Sequence, residues 1–286
     1  MPSTLTLSIV IPTRNESANI RLCVESFLPA IREGWGEILV VDNFSTDDTR
    51  TQSLEFCRQH PERIRFIEQG PERSAQRNEG WRQAHGEYVF FVDADMRMPP
   101  ETLAEIKQRI HSETPPDALF VREVRVGNGW WIRVRNFERS FYDATCIDAL
   151  RVIKRSILEQ VKGYDEAMVA AEDWDLDRRI LHATSNVALT QGHLLHDERR
   201  LTFWKHLKKK AYYSGNLSVY REKWGYDAIV RKQFGFMYRF VTVFLEHGKW
   251  KKALSHPHYM LAIAFERACV GTVYAWAKVR QIWRGS

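Results

Sequence analysis

The run Tyr88-Val-Phe-Phe-Val-Asp-Ala-Asp-Met96 leaves this chain few ways to fold. Tyr88 to Val92 are apolar at consecutive rather than alternate positions, as in a strand covered on both faces within a parallel sheet. Such a strand delivers Asp93 and Asp95 at its C-terminal end, where open α/β sheets bind ligands. Their spacing lets both carboxylates point to one side. Two hard anionic oxygens together suit Mg2+ or Mn2+ that also holds a diphosphate. Asp is equally at home in a plain strand-end turn, so the surrounding pattern has to decide.

That pattern alternates. Leu7–Ile11 reads as a strand stopped by Pro12, followed by polar residues and a helix with apolar positions at Ile20, Cys23, Val24, Phe27 and Ile31. Glu37–Val41 is a second strand. Ser45 and Asp48 have the spacing of a capping box for a helix through Leu54 and Cys57. Arg63–Ile67 is a third strand, and a helix opening near Gly70 and closing by Gly86 leads to Tyr88–Val92. This order predicts a parallel sheet with right-handed crossovers and helices on both faces. Its strand ends carry Thr13, Asn15 and Glu16, then Asp42 and Asn43, then Asp93 and Asp95, all able to line one crevice. Amides and carboxylates there can hydrogen-bond a nucleobase and ribose while the last pair holds a metal.

Ile9-Val-Ile-Pro-Thr-Arg-Asn-Glu16, Val40-Val-Asp-Asn-Phe-Ser-Thr-Asp-Asp48, Ala75-Gln-Arg-Asn78 and Phe91-Val-Asp-Ala-Asp95 resemble the successive blocks of family 2 glycosyltransferases, over about residues 5–200. The resemblance implies the GT-A fold: a Rossmann-like, mostly parallel sheet flanked by helices. It implies Pro12, Thr13, Glu16, Asp42, Asn43 and Arg77 around the nucleotide. Asp93 would lie near ribose and metal, with Asp95 as principal ligand of Mn2+ or Mg2+. No Gly-x-Gly-x-x-Gly is present, so a dinucleotide reading gains no support.

Pro99–Ile110 reads as a helix, Ala118–Val126 as a strand and Gly127–Trp131 as a turn out of it. Gly163-Tyr-Asp-Glu leads into Glu172 and Asp173 at the start of a helix anchored by Trp174, Leu176, Ile180 and Leu181. Acids in a first turn also suit the helix dipole. In the resembled family the aspartate of such a pair is the general base of inverting transfer, here Asp173, with Glu172 orienting acceptor or base. A sugar hydroxyl needs such a group, because it attacks well only as its proton leaves. By the same resemblance a histidine past this pair completes the metal site; His196 fits, with His193 as a competitor. Arg151, among arginines and aromatics, is a candidate for a diphosphate or lipid-phosphate contact, with ion pairing as the plainer alternative.

Charge divides the chain. Residues 199–286 hold 18 Lys and Arg against Glu222, Asp227, Glu246 and Glu266, a balance of +14; with +6 overall, residues 1–198 carry −8. This sets a catalytic domain over 1–198 (nucleotide-sugar half 1–98, acceptor half 99–198) against a helical, basic and aromatic extension over 199–286. The extension's expected partner is an anionic membrane surface. Nucleic acid is not expected, because no binding motif accompanies the charge. The apolar run from Tyr259 to Ala277 is nearly long enough to span a bilayer, but Glu266 and Arg267 at its middle favour an interfacial helix. Packing on the catalytic domain or a homodimer are the alternatives for its apolar faces. Scattered cysteines and an N-terminus without signal-peptide features suit a cytoplasmic protein peripheral to the membrane.

Together these features predict a metal-dependent, inverting glycosyltransferase moving sugar from a nucleotide-diphosphate sugar to a hydroxyl acceptor, glycan or lipid-linked. A polyprenyl-phosphate glycosyl synthase and a non-catalytic nucleotide-sugar-binding protein remain as rivals.

Overall fold

The computed structural model describes residues 5–214 and 216–284, and at 209–214 and 273–284 the backbone alone. In chain order the elements begin β1 (Leu7–Thr13), α1 (Ile20–Arg32), β2 (Gly36–Asp42), α2 (Thr49–Gln59), β3 (Ile64–Glu68), α3 (Arg73–Arg82) and β4 (Tyr88–Phe91). Then come β5 (Met96–Arg97), α4 (Pro100–Ile110), β6 (Ala118–Val126), α5 (Trp130–Arg139), β7 (Leu150–Lys154), α6 (Arg155–Val161), α7 (Glu172–Ala183) and β8 (Val187–Asp197). The remainder is helical: α8 (Phe203–Ser214), α9 (Ser218–Trp224), α10 (Ala228–Phe234), a π-helical turn Tyr238–Thr242, α11 (Val243–Leu245), α12 (Trp250–Ser255) and α13 (Pro257–Arg284).

The chain forms two compact units. The first comprises Met1–Val124, Ala149–Glu166 and Glu172–Asp197; the second comprises Arg125–Asp148, Ala167–Ala171 and Glu198–Ser286. The segment 125–148, placed by the sequence with the acceptor half, thus clusters with the C-terminal helices. Its Val134, Phe137 and Phe141 share a core with Tyr238, Val243, Phe244, Ala253 and Ile263.

In the first unit one eight-stranded sheet runs β3-β2-β1-β4-β7-β6-β8-β5. β1 pairs in parallel with β2 and β4, and β2 with β3, as the strand–helix alternation requires. Beyond β4 the sheet turns antiparallel, through β4–β7, β7–β6 and β8–β5. The period-two geometry of a strand divides the core in two. Ile9, Ile11, Ile38, Val40, Tyr88 and Phe90 join the cluster on one face. Val10, Leu39, Val41, Val89 and Phe91 join the other. Both faces of these strands are therefore buried, which is why their sequences are apolar without alternation.

Three local expectations are corrected. The first strand does not stop at Pro12 but runs on to Thr13, with Pro12 opposite Val41 and Thr13 opposite Asp42. The Ser45–Asp48 capping box does not form. Ser45 instead turns back on the β2 end, its backbone N–H donating to Asp42 Oδ2 at 2.7 Å and its hydroxyl to Oδ1 at 2.5 Å. Asp47 takes the role at the start of α2, accepting from Thr49 N–H at 3.0 Å and Thr49 Oγ1 at 2.5 Å. The turn expected over Gly127–Trp131 is shorter, since α5 already begins at Trp130.

Candidate active site

β1 lies between β2 and β4, so the order of connections reverses beside it, and the crevice opens at the C-terminal ends of these strands. Pro12 and Thr13 end β1 and are buried; Thr13 Oγ1 is buried without a hydrogen-bond partner among the described residues. Gln76 on α3 ties this edge together, its amide donating to Thr13 O at 2.9 Å and Val41 O at 2.6 Å. Asn43 N–H donates to Thr13 O at 2.9 Å, and its side chain donates to Pro71 O. Glu16 N–H donates to Thr49 Oγ1 at 2.8 Å, and its carboxylate accepts from Asn19 at 2.8 Å. Phe44, between these groups, is 62% exposed, with a left-handed φ of 49° that a bulky residue rarely adopts.

From the end of β4 the charged residues form one continuous series. Asp93 and Asp95 lie in the turn between β4 and β5, closed by Met96 N–H donating to Asp93 O at 2.9 Å. Arg77 Nη2 donates to Asp93 Oδ1 at 2.9 Å, and its Nη1 donates to Asp173 Oδ1 at 2.8 Å. The other oxygen of Asp93 faces Arg151 Nη1 at 3.6 Å, and Arg151 Nη2 donates to Glu123 Oε2 at 3.3 Å. His196 Nδ1 lies 2.8 Å from Glu123 Oε1, and its Nε2 3.2 Å from Asp95 Oδ2. Acid and base thus alternate from Asp173 to Asp95 through Arg77, Asp93, Arg151, Glu123 and His196.

The fold explains each placement. Arg77 reaches the acids because α3 lies almost on β1: a Cβ on Gly80 would stand 2.3 Å from Val10 Cγ1. Asp173 is carried by α7, whose approach is pinned by Asn78. That amide donates to Tyr164 O at 2.9 Å and accepts from Tyr164 N–H at 2.8 Å. Gly163 is needed there, with φ of 65° and a Cβ position 2.4 Å from Trp81 Nε1. His196 meets Asp95 through strand register, because Met96 pairs with His196 where β5 runs antiparallel to β8. His193, three residues away on the same strand, is exposed, and Thr102 Oγ1 donates to its carbonyl at 3.2 Å.

Burial sharpens the electrostatics. It opposes ionisation of Asp93, but Arg77 and Arg151 outweigh it and hold the carboxyl well below the usual range. Burial likewise works against a charged His196, yet the bonds with Asp95 and Glu123 push it up to about 10. Arg77, 1% exposed, is desolvated and still held well above its ordinary value by Asp173, Tyr164 and Asp93. Glu172 behaves oppositely. Buried and beside Asp173, it is pushed up to about 7, although Arg73 Nη2 lies 3.2 Å away.

Glu123, Gln76, Asn78 and Tyr164 are the participants that sequence reasoning missed. Gln76, Asn78 and Tyr164 stand inside the motif blocks Ala75–Asn78 and Gly163–Glu166 without a role being read for them, and Glu123 is a carboxylate on a strand that opens with the buried run Ala118–Val121. Among the described residues, no group of three or more His, Cys, Asp or Glu side chains converges on a metal position. The expected triad of Asp93, Asp95 and His196 is divided, because Asp93 faces the two arginines and only His196 meets Asp95. Asp95 Oδ1, however, is buried without a hydrogen-bond partner among the described residues, which fits a metal ligand.

An open α/β sheet with acids gathered at its switch point defines a ligand-binding class. The profile of Glycosyl transferase family 2 matches residues 8–170, and the chain belongs to that family. It is 28% identical over 200 residues to the O-antigen biosynthesis protein RfbC of Myxococcus xanthus, covering 66% of this chain and 15% of that protein. It is 35% identical over 103 residues to the glycosyltransferase YibD of Escherichia coli, covering 35% of this chain and 29% of that one. The chain therefore spans less than a third of these curated relatives. The fold matches the Staphylococcus aureus TarS fragment 1–349 with TM-score 0.57, 18% identity and coverage of 98% and 92% of the two chains. It also matches the mannosyltransferase PcManGT of Pyrobaculum calidifontis, solved with GDP-Man and Mn2+: TM-score 0.56, 20% identity, coverage 99% and 85%.

Proposed function

We propose that this protein transfers a sugar from a nucleotide-diphosphate donor to a hydroxyl acceptor, glycan or lipid-linked, by a metal-dependent, inverting reaction at the cytoplasmic face of a membrane. The observation that carries this is the alternating series from Asp173 to Asp95, which joins a candidate base and a candidate metal ligand through buried and half-buried partners.

Pro12, Thr13, Glu16, Asp42 and Asn43 form the nucleotide side, where the unpartnered Thr13 hydroxyl is available to a base or ribose. Asp95, through its unpartnered oxygen, and His196, once it gives up its proton, would hold Mn2+ or Mg2+, with Asp93 alongside. That ion supplies positive charge against the leaving diphosphate. Arg151 stands between Asp93 and Glu123 and completes the cationic lining. Asp173 takes the acceptor proton as the sugar carbon is attacked. Arg77 is a positioning residue: it fixes one oxygen of Asp173 and one of Asp93, holding proton acceptor and donor site in register. Glu172, with its affinity for a proton, orients the acceptor or the base.

A second reading has its own support. Both Arg77 and the Tyr164 hydroxyl, at 3.3 Å, bond the same oxygen of Asp173, so that oxygen is already engaged. A phosphate acceptor would need no base, and the 30–33% identical relatives include a dolichyl-phosphate beta-glucosyltransferase and a dolichol-phosphate mannosyltransferase.

The test is thermal-shift titration with UDP-, GDP-, CDP- and dTDP-sugars, with and without Mn2+. The expected result is a metal-dependent shift with one nucleotide class that Asp95→Ala abolishes. Stability unmoved by every donor would overturn the reading.

A further inference from the structure

Within the second unit, helix α13 turns its charged residues inward. A helix on a protein surface normally turns its charges to water and its apolar stripe inward. In α13 the two charged residues between Pro257 and Thr272 point inward. Glu266 is 5% exposed, with His206 Nε2 2.7 Å from Oε1. Arg267 Nη2 lies 2.7 Å from Glu138 Oε1, and the same guanidinium donates to the Tyr142 hydroxyl. The face left exposed carries His258, Leu261, Ala264, Phe265, Ala268 and Thr272, at helical spacing and without an acid, lysine or arginine. Leu261 is 74% and Phe265 64% exposed. Beside α13, Phe236 is 66% exposed and stacks on Phe240 at 4.3 Å, with Arg267 over the Phe240 ring at 5.3 Å.

Most acids of this unit are paired. Glu138, Asp148, Glu198 and Glu266 are engaged by Arg267, Arg139, Arg135 and His206. Asp227 caps α10 by accepting from Val230 N–H at 2.8 Å, and Glu246 accepts from the Tyr238 hydroxyl at 2.8 Å. Arg231, Lys232 and Lys251 are exposed. Lys251 stands over the ring of Trp250, just ahead of α13. Glu222 is exposed as well, but residues 199–286 carry a balance of +14, so the segment that holds the apolar stripe is strongly cationic. Two copies brought together on this face would repel, whereas an anionic lipid surface meets both its charge and its apolar row.

We propose that the outer face of α13 lies in the interface of an anionic membrane. Leu261 and Phe265 enter the acyl boundary, and the exposed lysines and arginines rest on phosphate headgroups. The helix lies on the bilayer: among the described residues no helix is long and apolar enough to cross one. This deepens the membrane-peripheral part of the proposed function and is independent of the transfer chemistry.

The experiment is flotation of the full chain with phosphatidylcholine vesicles, with and without phosphatidylglycerol. The wild type is expected to float only with the anionic lipid and to be released by high salt. Leu261→Glu combined with Phe265→Glu should weaken binding by about tenfold or more, as loss of the apolar anchor predicts. Far-UV circular dichroism and donor turnover should stay unchanged, which separates this outcome from failure to fold. Wild-type binding that the double substitution leaves intact overturns the assignment of this face but not membrane association. No binding to anionic vesicles overturns both, with donor turnover still testing the enzymatic reading. A lipid-free dimer that the same substitutions dissociate also overturns it, in favour of a second copy.

Discussion

Nη1 of Arg77 lies 2.8 Å from Asp173 Oδ1 while Nη2 of the same guanidinium lies 2.9 Å from Asp93 Oδ1. Glu172 Oε1 lies 3.8 Å from Nη1 as well, and a fully buried arginine among carboxylates is costly to desolvate, and more costly to break from one side. Arg77→Met should destabilise the fold by about 3 kcal/mol in urea unfolding, because it takes the arginine from Asp173 and leaves Asp93 with Arg151 alone. Arg77→Lys, which keeps the charge but not the two-pronged geometry, should fold better and still lose turnover. Wild-type stability in Arg77→Met would show that the acids are relieved by solvent instead.

Asp173→Asn separates the two acceptor chemistries. With a hydroxyl acceptor, turnover should drop by about a thousandfold at nearly unchanged donor affinity, the scale of lost general-base catalysis. With a phosphate acceptor, turnover should hold. Steady-state kinetics with both acceptor types on one protein preparation reads the difference.

Glu172 sets a pH dependence. Its folded-state value is about 7 against an ordinary 4.5, so the folded chain binds this proton more tightly than the unfolded one. Its contribution to stability is therefore most favourable below the unfolded value and falls as pH rises through the folded value. Above that, a buried carboxylate beside Asp173 is a constant penalty. The urea midpoint of the wild type should fall between pH 5 and pH 8 more than that of Glu172→Gln, on this shift to about 7. Parallel profiles for the two proteins would refute the assignment.

Phe44 holds a left-handed backbone with little burial in return. Strain of this kind, on the order of 1 kcal/mol, persists where a site uses it. Phe44→Asn, a residue that tolerates this conformation, should leave stability equal or higher by up to about 1 kcal/mol. Donor affinity, measured by calorimetry, should nevertheless weaken, because the exposed ring beside Asp42 and Asn43 is placed to cover a base. Unchanged affinity would reduce Phe44 to a strained loop residue.

Residues 7–92 determine the first half of the fold by themselves. Unbroken apolar runs can be satisfied only by a sheet covered on both faces, and the helices between them force parallel pairing; both are local or periodic properties. The strand-end acids follow from the same logic, since a strand's last residues must emerge at its edge. Tertiary structure alone decided which charges meet. Arg77 reads as a nucleotide contact, yet the close approach of α3 to β1 buries it between Asp93 and Asp173. That His196 rather than His193 meets Asp95 depends on the β5–β8 register, fixed by partners a hundred residues apart. Glu123 enters because it bridges His196 and Arg151. In α13, Glu266 and Arg267 mark a polar middle in the sequence, but only packing against His206 and Glu138 turned them inward and the leucine and phenylalanine out. A residue's chemistry is written in its side chain; its partner is set by which distant surfaces the core brings together.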